Sequence, residues 1–467
     1  MKSFIIKLLF CIGATYSSAQ TTIVEPLGSG ADDHPYIGRQ AVRRLYVDSI
    51  DNLLYAVGNF VMMGGKLVYG VAKWDGNSWD SLGSGIKEFE QYDYIQTTRD
   101  IIRYKNEIYL AGSFYKCGRK DITGIARWNG VEWNDVGGSM KVKYNTGYKM
   151  KVYNDELYLI GSFDTIGNTP SKGIAKWDGQ NWTDLSQNFP SQCLINYGSK
   201  NLADIQFFDN ELFVGGNINC NPQPEEFLLK KVGNQWVSVG QGFSGDATIN
   251  TMEIFNNDLI VAGYFFQNGF NIENSIVRCD GLTYYPMGGG LLPANVNDLL
   301  EFNNYLYAAG QIDIAGNSPV TRMAKWDGFT WTDVGLDFRL FTGQGGTPGT
   351  LAIYNGKMIV GGGFNTINGV EAQNIASIDF NVVGLNSIAK GGTFKLYPNP
   401  AQESFRFKLS DNEQFRNLNI YNAIGQKVLE SISIPNQTVD IAALNRGLYY
   451  VEIQTNRGKS RQKLLVE

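Results

Sequence analysis

Apolar and polar residues alternate along this chain in short runs, each closed by Asn, Asp or Gly. The pattern is clearest between residues 297 and 335, which read NDLLEFNNYLYAAGQIDIAGNSPVTRMAKWDGFTWTDVG. Period-two alternation over four to eight residues predicts strands. Four are expected here, at 298–302, 305–310, 322–326 and 330–334. Asn303-Asn304 and Asp327-Gly328 supply the positive φ that two-residue hairpins need. The stretch reads as a four-stranded meander.

The same unit recurs. Its second strand returns as LLYAVGNF (53–60), IYLAGSF (108–114), LYLIGSF (157–163), LFVGGNI (212–218), LIVAGYF (259–265), LYAAGQI (306–312) and MIVGGGF (358–364). Within these, Gly58, Gly112, Gly161, Gly216, Gly263, Gly310 and Gly362 are spaced by 54, 49, 55, 47, 47 and 52 residues. The third strand returns as GVAKWDG (70–76), GIARWNG (124–130), GIAKWDG (173–179), FLLKKVG (227–233), SIVRCDG (275–281), RMAKWDG (322–328) and NIASIDF (374–380). A repeat of about 50 residues with four strands predicts a β-propeller. The fourth strand, as in WDSLGSG (79–85) and WTDVGLD (331–337), has six copies for seven units. VEPLGSG (24–30) matches it from its Leu onward, so a strand at 24–30 is expected to complete the last blade and close a seven-bladed ring. An aromatic eight residues before the glycine (Tyr104, Tyr153, Phe208, Phe255, Phe302, Tyr354) is expected to pack between blades. Asp75, Asp178 and Asp327 are expected to serve hairpin turns, and the repeated Trp to serve packing.

Composition then adds export. Residues 1–19 have the form of a signal peptide, with Lys2 and Lys7, an apolar core over 4–14 and Ser17-Ser18-Ala19 before the cut. The net charge of −5 becomes −7 without those two lysines, which leaves no basic footprint for nucleic acid. No later run is long enough to span a bilayer as a helix. Four cysteines remain in an oxidising compartment. Cys193 and Cys220 lie on loops expected on one face of the fourth blade and are the candidate disulfide. Cys279 replaces a repeat Trp and is expected to be buried; Cys117 has no evident partner.

Composition shifts after residue 380. Residues 381–393 read as a linker, and 394–467 as about seven short strands of a small Ig-like β-sandwich. The expected organisation is all-β: a signal peptide at 1–19, a propeller over 20–380, the linker, and the sandwich.

Two resemblances follow. The propeller units are similar to kelch-type repeats and, more closely, to those of Rax2-like surface propellers. This implies a fold and little about function. LYPNP (396–400), IYNAIGQKV (420–428), IAALNRGLYYVEI (441–453) and the terminal KLLVE resemble the type A C-terminal sorting domain of the type IX secretion system. That resemblance implies a Bacteroidetes-type cell, transit through the periplasm, and contact of residues 394–467 with the secretion machinery. It also implies removal of the tail, with release or attachment at the outer surface.

Chemistry is sparse. The single histidine, His34, excludes a Ser/His/Asp triad, a multi-histidine zinc site and the two-histidine copper site of kelch-type oxidases. No cofactor, metal or catalytic residue is expected. Asp100, Asp204 and Asp298 each lie twelve residues before their glycine, at the start of an innermost strand near the channel mouth. Carboxylates there suit a cation or acid–base work on a glycan. The long inter-blade loops 86–98, 187–200 and 338–350 gather on the same face and offer Tyr92, Tyr94, Phe338 and Phe341 as stacking surfaces. The leading expectation is a secreted or surface protein that binds an extracellular protein or polysaccharide with this loop face. The alternative is a carboxylate-dependent polysaccharide-degrading enzyme.

Overall fold

The computed structural model describes residues 21–466 apart from 33–41, 87–96, 142–145, 190–201, 219–225, 241–242, 268–274, 382–393, 410–413, 423–426, 432–433, 435–436 and 456–457. The expected signal peptide, His34, Tyr92, Tyr94, Cys193, Cys220 and residues 382–393 of the expected linker lie outside the described residues. Every named element is a strand, and none of the described residues forms a helix long and apolar enough to cross a membrane.

Up to Asn381 the described chain forms seven four-stranded antiparallel units, together with one short two-stranded and three short three-stranded sheets. The first runs in the order Val42–Asp48, Leu53–Gly58, Val71–Trp74, Trp79–Ser81. The sixth runs Asn295–Phe302, Tyr305–Gln311, Met323–Trp326, Trp331–Asp333. The second and third are also joined through the pair Thr146↔Ser113. In the seventh, the outer strand comes from the other end of the chain. Thr21–Pro26 pairs antiparallel with Ile375–Asn381, Val24 opposite Ile378. The strand thus begins and ends earlier than the LGSG likeness suggested, because Leu27–Gly30 already turns away through positive φ at Gly28 and Gly30.

Local chemistry fixes the hairpins. The inner strand turns into the second through Asn154-Asp155, Asp209-Asn210, Asn256-Asn257 and Asn303-Asn304, all with positive φ, as a type I′ turn requires. The turn from third to fourth strand is held by one carboxylate. Asp75 Oδ1 accepts the backbone N–H of Asn77 at 2.8 Å and Ser78 at 2.7 Å, and Asp178 and Asp327 repeat the arrangement. The Ser78 and Asn77 N–H groups hold the Asp75 carboxyl below its usual range.

Apolar burial occurs between sheets. Each hydrophobic cluster before the tail joins two successive sheets, and the series returns to its start. Val42, Leu45 and Ala56 of the first sheet pack with Ala352, Tyr354, Ile359 and Ile375 of the seventh. The aromatic before each hairpin works across the same boundaries: Tyr104 Oη donates to the Asp155 carbonyl at 2.8 Å and Tyr354 Oη to the Asn52 carbonyl at 3.0 Å. Cys279 lies buried in the cluster between the fourth and fifth sheets, and Cys117 is likewise buried as a free thiol.

Residues 395–466 form two further sheets. One has three strands, Lys395–Tyr397, Ser404–Lys408 and Thr438–Asp440. The other orders Lys427–Ser431, Phe415–Asn422, Gly447–Thr455 and Gly458–Val466. Phe405, Phe407 and Val439 of the first share one core with Leu418, Ile420, Val451 and Ile453 of the second.

Candidate functional site

All seven innermost strands carry a β-bulge at the same place. In each, one residue is skipped in the pairing with the second strand. The skipped residues are Arg43, Arg99, Tyr148, Ala203, Asn250, Asn297 and Gly349. The repeat glycine is opposite the residue just before each bulge, as Val296↔Gly310 and Thr98↔Gly112 show. A Cβ on Gly310 would sit far inside van der Waals contact with the Asn295 carbonyl oxygen, and one on Gly112 would meet that of Thr97. The glycine is therefore the sequence feature that admits the bulge, and the bulge re-aims the extra side chain.

The seven skipped residues converge on one cavity of about 390 Å³, together with Arg44, Lys149, Asn217, Thr248 and Asp298 among others. This is within the ~300–1,000 Å³ range of small-molecule sites. It lies where the inner strands begin, so the inter-sheet loops lead directly into its rim.

One residue further along, the strands carry Arg44, Asp100, Lys149, Asp204, Thr251, Asp298 and Thr350. The three carboxylates are almost fully buried, at 3%, 3% and 5% exposure. Each reaches a neighbouring sheet: Asp100 Oδ2 accepts from Met150 N at 2.6 Å, Asp204 Oδ2 from Met252 N at 2.6 Å and Asp298 Oδ2 from Leu351 N at 2.8 Å. Arg44 stands between Asp100 (3.5 Å) and Asp298 (3.4 Å), and Lys149 Nζ lies 3.7 Å from Asp204. Burial lowers the Arg44 guanidinium's affinity for its proton, but Asp298 and Asp100 more than offset this and raise it. Burial pushes the Asp100 carboxyl up against the opposing pull of Lys149 and Arg44. These acids act as clasps between sheets, and one oxygen of each is committed to a neighbouring strand's backbone.

Above this layer the balance reverses. Burial, then the neighbouring Arg99, pushes the Arg43 guanidinium down to about 10. Arg99 is lowered by burial as well. Its Nε is buried without a hydrogen-bond partner among the described residues. Its guanidinium carbon lies 4.9 Å from the centre of the Tyr148 ring.

Of the aromatic candidates, Phe341 is 65% exposed. Phe338 is 1% exposed and packs edge-on against Phe364, so its ring belongs to the core rather than to a binding surface. Its strand Phe338–Arg339 pairs with Thr366–Ile367 of the next sheet, which draws the side chain inward. Among the described residues, no group of three or more His, Cys, Asp or Glu side chains is placed to hold a metal ion.

The bulge residues carry no common mark in the sequence, since their types run from Arg and Tyr through Asn to Ala and Gly. In six units they lie thirteen residues before the glycine. In the first, the turn between Asp48 and Leu53 is two residues longer, so Arg43 and Arg44 fall outside the column that counting back from Gly58 would inspect.

Residues 395–467 match the family model for the secretion system C-terminal sorting domain. The tail is a secretion sorting domain. Such a domain of the type IX system directs export, so this is a secreted or cell-surface protein whose tail meets the secretion machinery. The sorting domain rests on the fifth sheet: Lys463 Nζ lies 2.7 Å from Asp258 Oδ1, and Tyr450 bonds Arg278. No curated protein sequence matches the chain significantly. Among the similar solved structures are two of the extracellular domain of one B. thetaiotaomicron protein, described in one as a putative hybrid two component system and in the other as a putative one component system. Each is 12% identical, with TM-scores of 0.45 and 0.42. They cover 96% and 97% of this chain, which spans 59% and 58% of theirs. At those scores the likeness carries no argument.

Proposed function

We propose that the seven sheets are the blades of a closed, kelch-like β-propeller, that the sorting domain is an Ig-like sandwich, and that the exported protein binds an extracellular macromolecule on its loop face. The observation that carries this reading is the sevenfold bulge. It sets seven residues, six of them with side chains, around one mouth on a scaffold whose strands are otherwise committed to packing. Rigid elements with loops at one rim suit recognition. Phe341, exposed on the loop before the seventh inner strand, extends the surface beyond the mouth, and Tyr92 and Tyr94 are carried from the sequence as further candidates.

Binding without turnover is the preferred form. Asp100, Asp204 and Asp298 each spend an oxygen on a neighbouring strand's backbone, and Asp100 and Asp298 share Arg44. A general acid or nucleophile for glycan cleavage needs a carboxyl that reaches substrate. The test is a panel of extracellular glycans and proteins presented to the full chain and to a variant with Tyr92, Tyr94 and Phe341 replaced by Ala. Retention by the first and loss by the folded variant is expected. New reducing ends released from a bound glycan, lost in Asp204→Asn, would replace the binding reading with the enzymatic one.

A further inference from the structure

We propose that the bulge-lined mouth is a site for an anionic saccharide, with Arg43 and Arg99 holding its acidic group and Tyr148 its ring. This deepens the binding reading above and rests on it.

The argument begins with charge. The layer below the mouth is internally matched: Arg44 with Asp100 and Asp298, Lys149 with Asp204. Arg43 and Arg99 have no carboxylate partner among the described residues, and they oppose one another. Two guanidiniums held together inside a cavity cost stability unless something negative completes them. A ligand oxyanion would do so with paired N–H···O bonds, the geometry in which a guanidinium excels. The Nε of Arg99 is buried without a hydrogen-bond partner among the described residues, so the protein itself does not satisfy this guanidinium.

Positioning is equally specific. With the Asn59 amide turned so that its oxygen faces Arg43, it accepts from Nε at 3.2 Å and Nη2 at 3.0 Å. That fixes the guanidinium plane while leaving Nη1 for a ligand. The saccharide half follows from the other bulge residues. The Tyr148 ring, with the Arg99 guanidinium over it at 4.9 Å, lines the same cavity and gives it an aromatic surface. The amide nitrogen of Asn250 donates to Asn295 Oδ1 at 2.6 Å and to the Val296 carbonyl at 2.9 Å; that of Asn297 donates to the Pro348 carbonyl at 3.1 Å. Both amides are thereby oriented, and their carbonyl oxygens are what remain to accept from sugar hydroxyls. Ala203, on the fourth sheet, leaves its part of the wall low, and Gly349, on the seventh sheet, leaves room beside Arg43. A carboxylate of a uronic acid and a sulfate ester share the required chemistry, a singly charged group with several acceptor oxygens.

Calorimetric titration of the full chain at low salt decides the matter, using oligogalacturonate, a sulfated galactose tetrasaccharide, neutral maltotetraose and tetra-aspartate. One or both acidic saccharides should bind and the neutral one should not; whichever binds tighter identifies the oxyanion. Arg43→Gln and Arg99→Gln should each weaken binding by roughly tenfold or more, and added salt should weaken it further. The melting temperature of Arg99→Gln should hold or rise, since one of two opposed cations is removed. A structural arginine would instead lower it, and a lowered melting temperature with unchanged affinity would overturn the proposal. So would equal binding of maltotetraose, or tighter binding of tetra-aspartate. A glycan that binds the chain with affinity indifferent to both arginines would overturn this site while leaving the broader binding reading in place. Failure of every glycan and protein on the panel would remove both.

Discussion

At the scale of single residues, the repeated tryptophan shows how one side chain can serve two sheets. The indole Nε1 of Trp79, Trp133, Trp182, Trp236 and Trp331 donates to the carbonyl of Leu27, Leu82, Val136, Leu185 and Met287. Each acceptor lies just past the outer strand of the preceding sheet. The ring fills the inter-sheet core and its one polar atom is satisfied by a backbone carbonyl, which at Leu27, Leu82 and Met287 also accepts the N–H of the glycine three residues on. Trp331→Phe keeps most of the ring and removes the donor to Met287. The Met287 carbonyl keeps the Gly290 N–H at 3.3 Å, so losing the indole donor should cost about 0.5–1.5 kcal/mol, the net worth of one hydrogen bond. A urea denaturation midpoint lowered at constant slope would register it, and an unmoved midpoint would show that the bond contributes nothing. The clasping aspartates work on the same logic, with a carboxylate oxygen answering a neighbour's N–H.

At the scale of elements, the inner strand is the unit that matters for function, and its bulge depends on a residue in its partner strand. Gly310→Ala places a methyl group against the Asn295 carbonyl oxygen. The hairpin must then widen or lose the bulge at Asn297, and overpacking of this kind costs about 1–3 kcal/mol. The expected outcome is a lower melting temperature together with weaker ligand binding at the mouth, because Asn297 is turned out of place. A variant that melts as the parent does would show that the strand pair yields without strain. Short hairpins between the second and third strands are a further element that the repeat pattern concealed. Thr165–Ile166 with Thr169–Pro170, and Ile314–Ala315 with Ser318–Pro319, pair onto the segments Met140–Lys141 and Leu291–Leu292 that arrive from the preceding sheet. Their mark in the sequence is Gly-Asn at a fixed distance after the repeat glycine, as in IGNTP (166–170) and AGNSP (315–319).

At the scale of the whole molecule, closure joins the two ends of the repeat region. Glu25 accepts from Lys357 Nζ at 2.7 Å, and the Leu27 carbonyl serves Trp79 in the first sheet while its strand lies in the seventh. Removing residues 20–30 would bare the edge of Ile375–Asn381 and orphan the Trp79 indole N–H. The truncated protein should melt several degrees lower and gain a tendency to associate through the exposed edge. Scanning calorimetry with light scattering tests both; an unchanged melting curve would show that closure does not depend on this strand.

The sequence by itself determined the all-β character, the strand order inside a repeat, the turn residues and the sorting tail. These are local properties: period-two alternation, positive-φ pairs such as Asn303-Asn304, and motifs such as LYPNP. It also placed Asp100, Asp204 and Asp298 near the start of the inner strands, three of which begin at Thr97, Leu202 and Asn295. Only the tertiary structure decided what those acids do, because their partners, Met150, Met252 and Leu351, lie on neighbouring sheets about 50 residues away. The mouth itself required pairing to be known. A bulge is a one-residue offset between two strands, invisible in either strand alone. The longer first turn moved Arg43 out of its column, so that its encounter with Arg99 exists only once the first and second sheets are packed side by side.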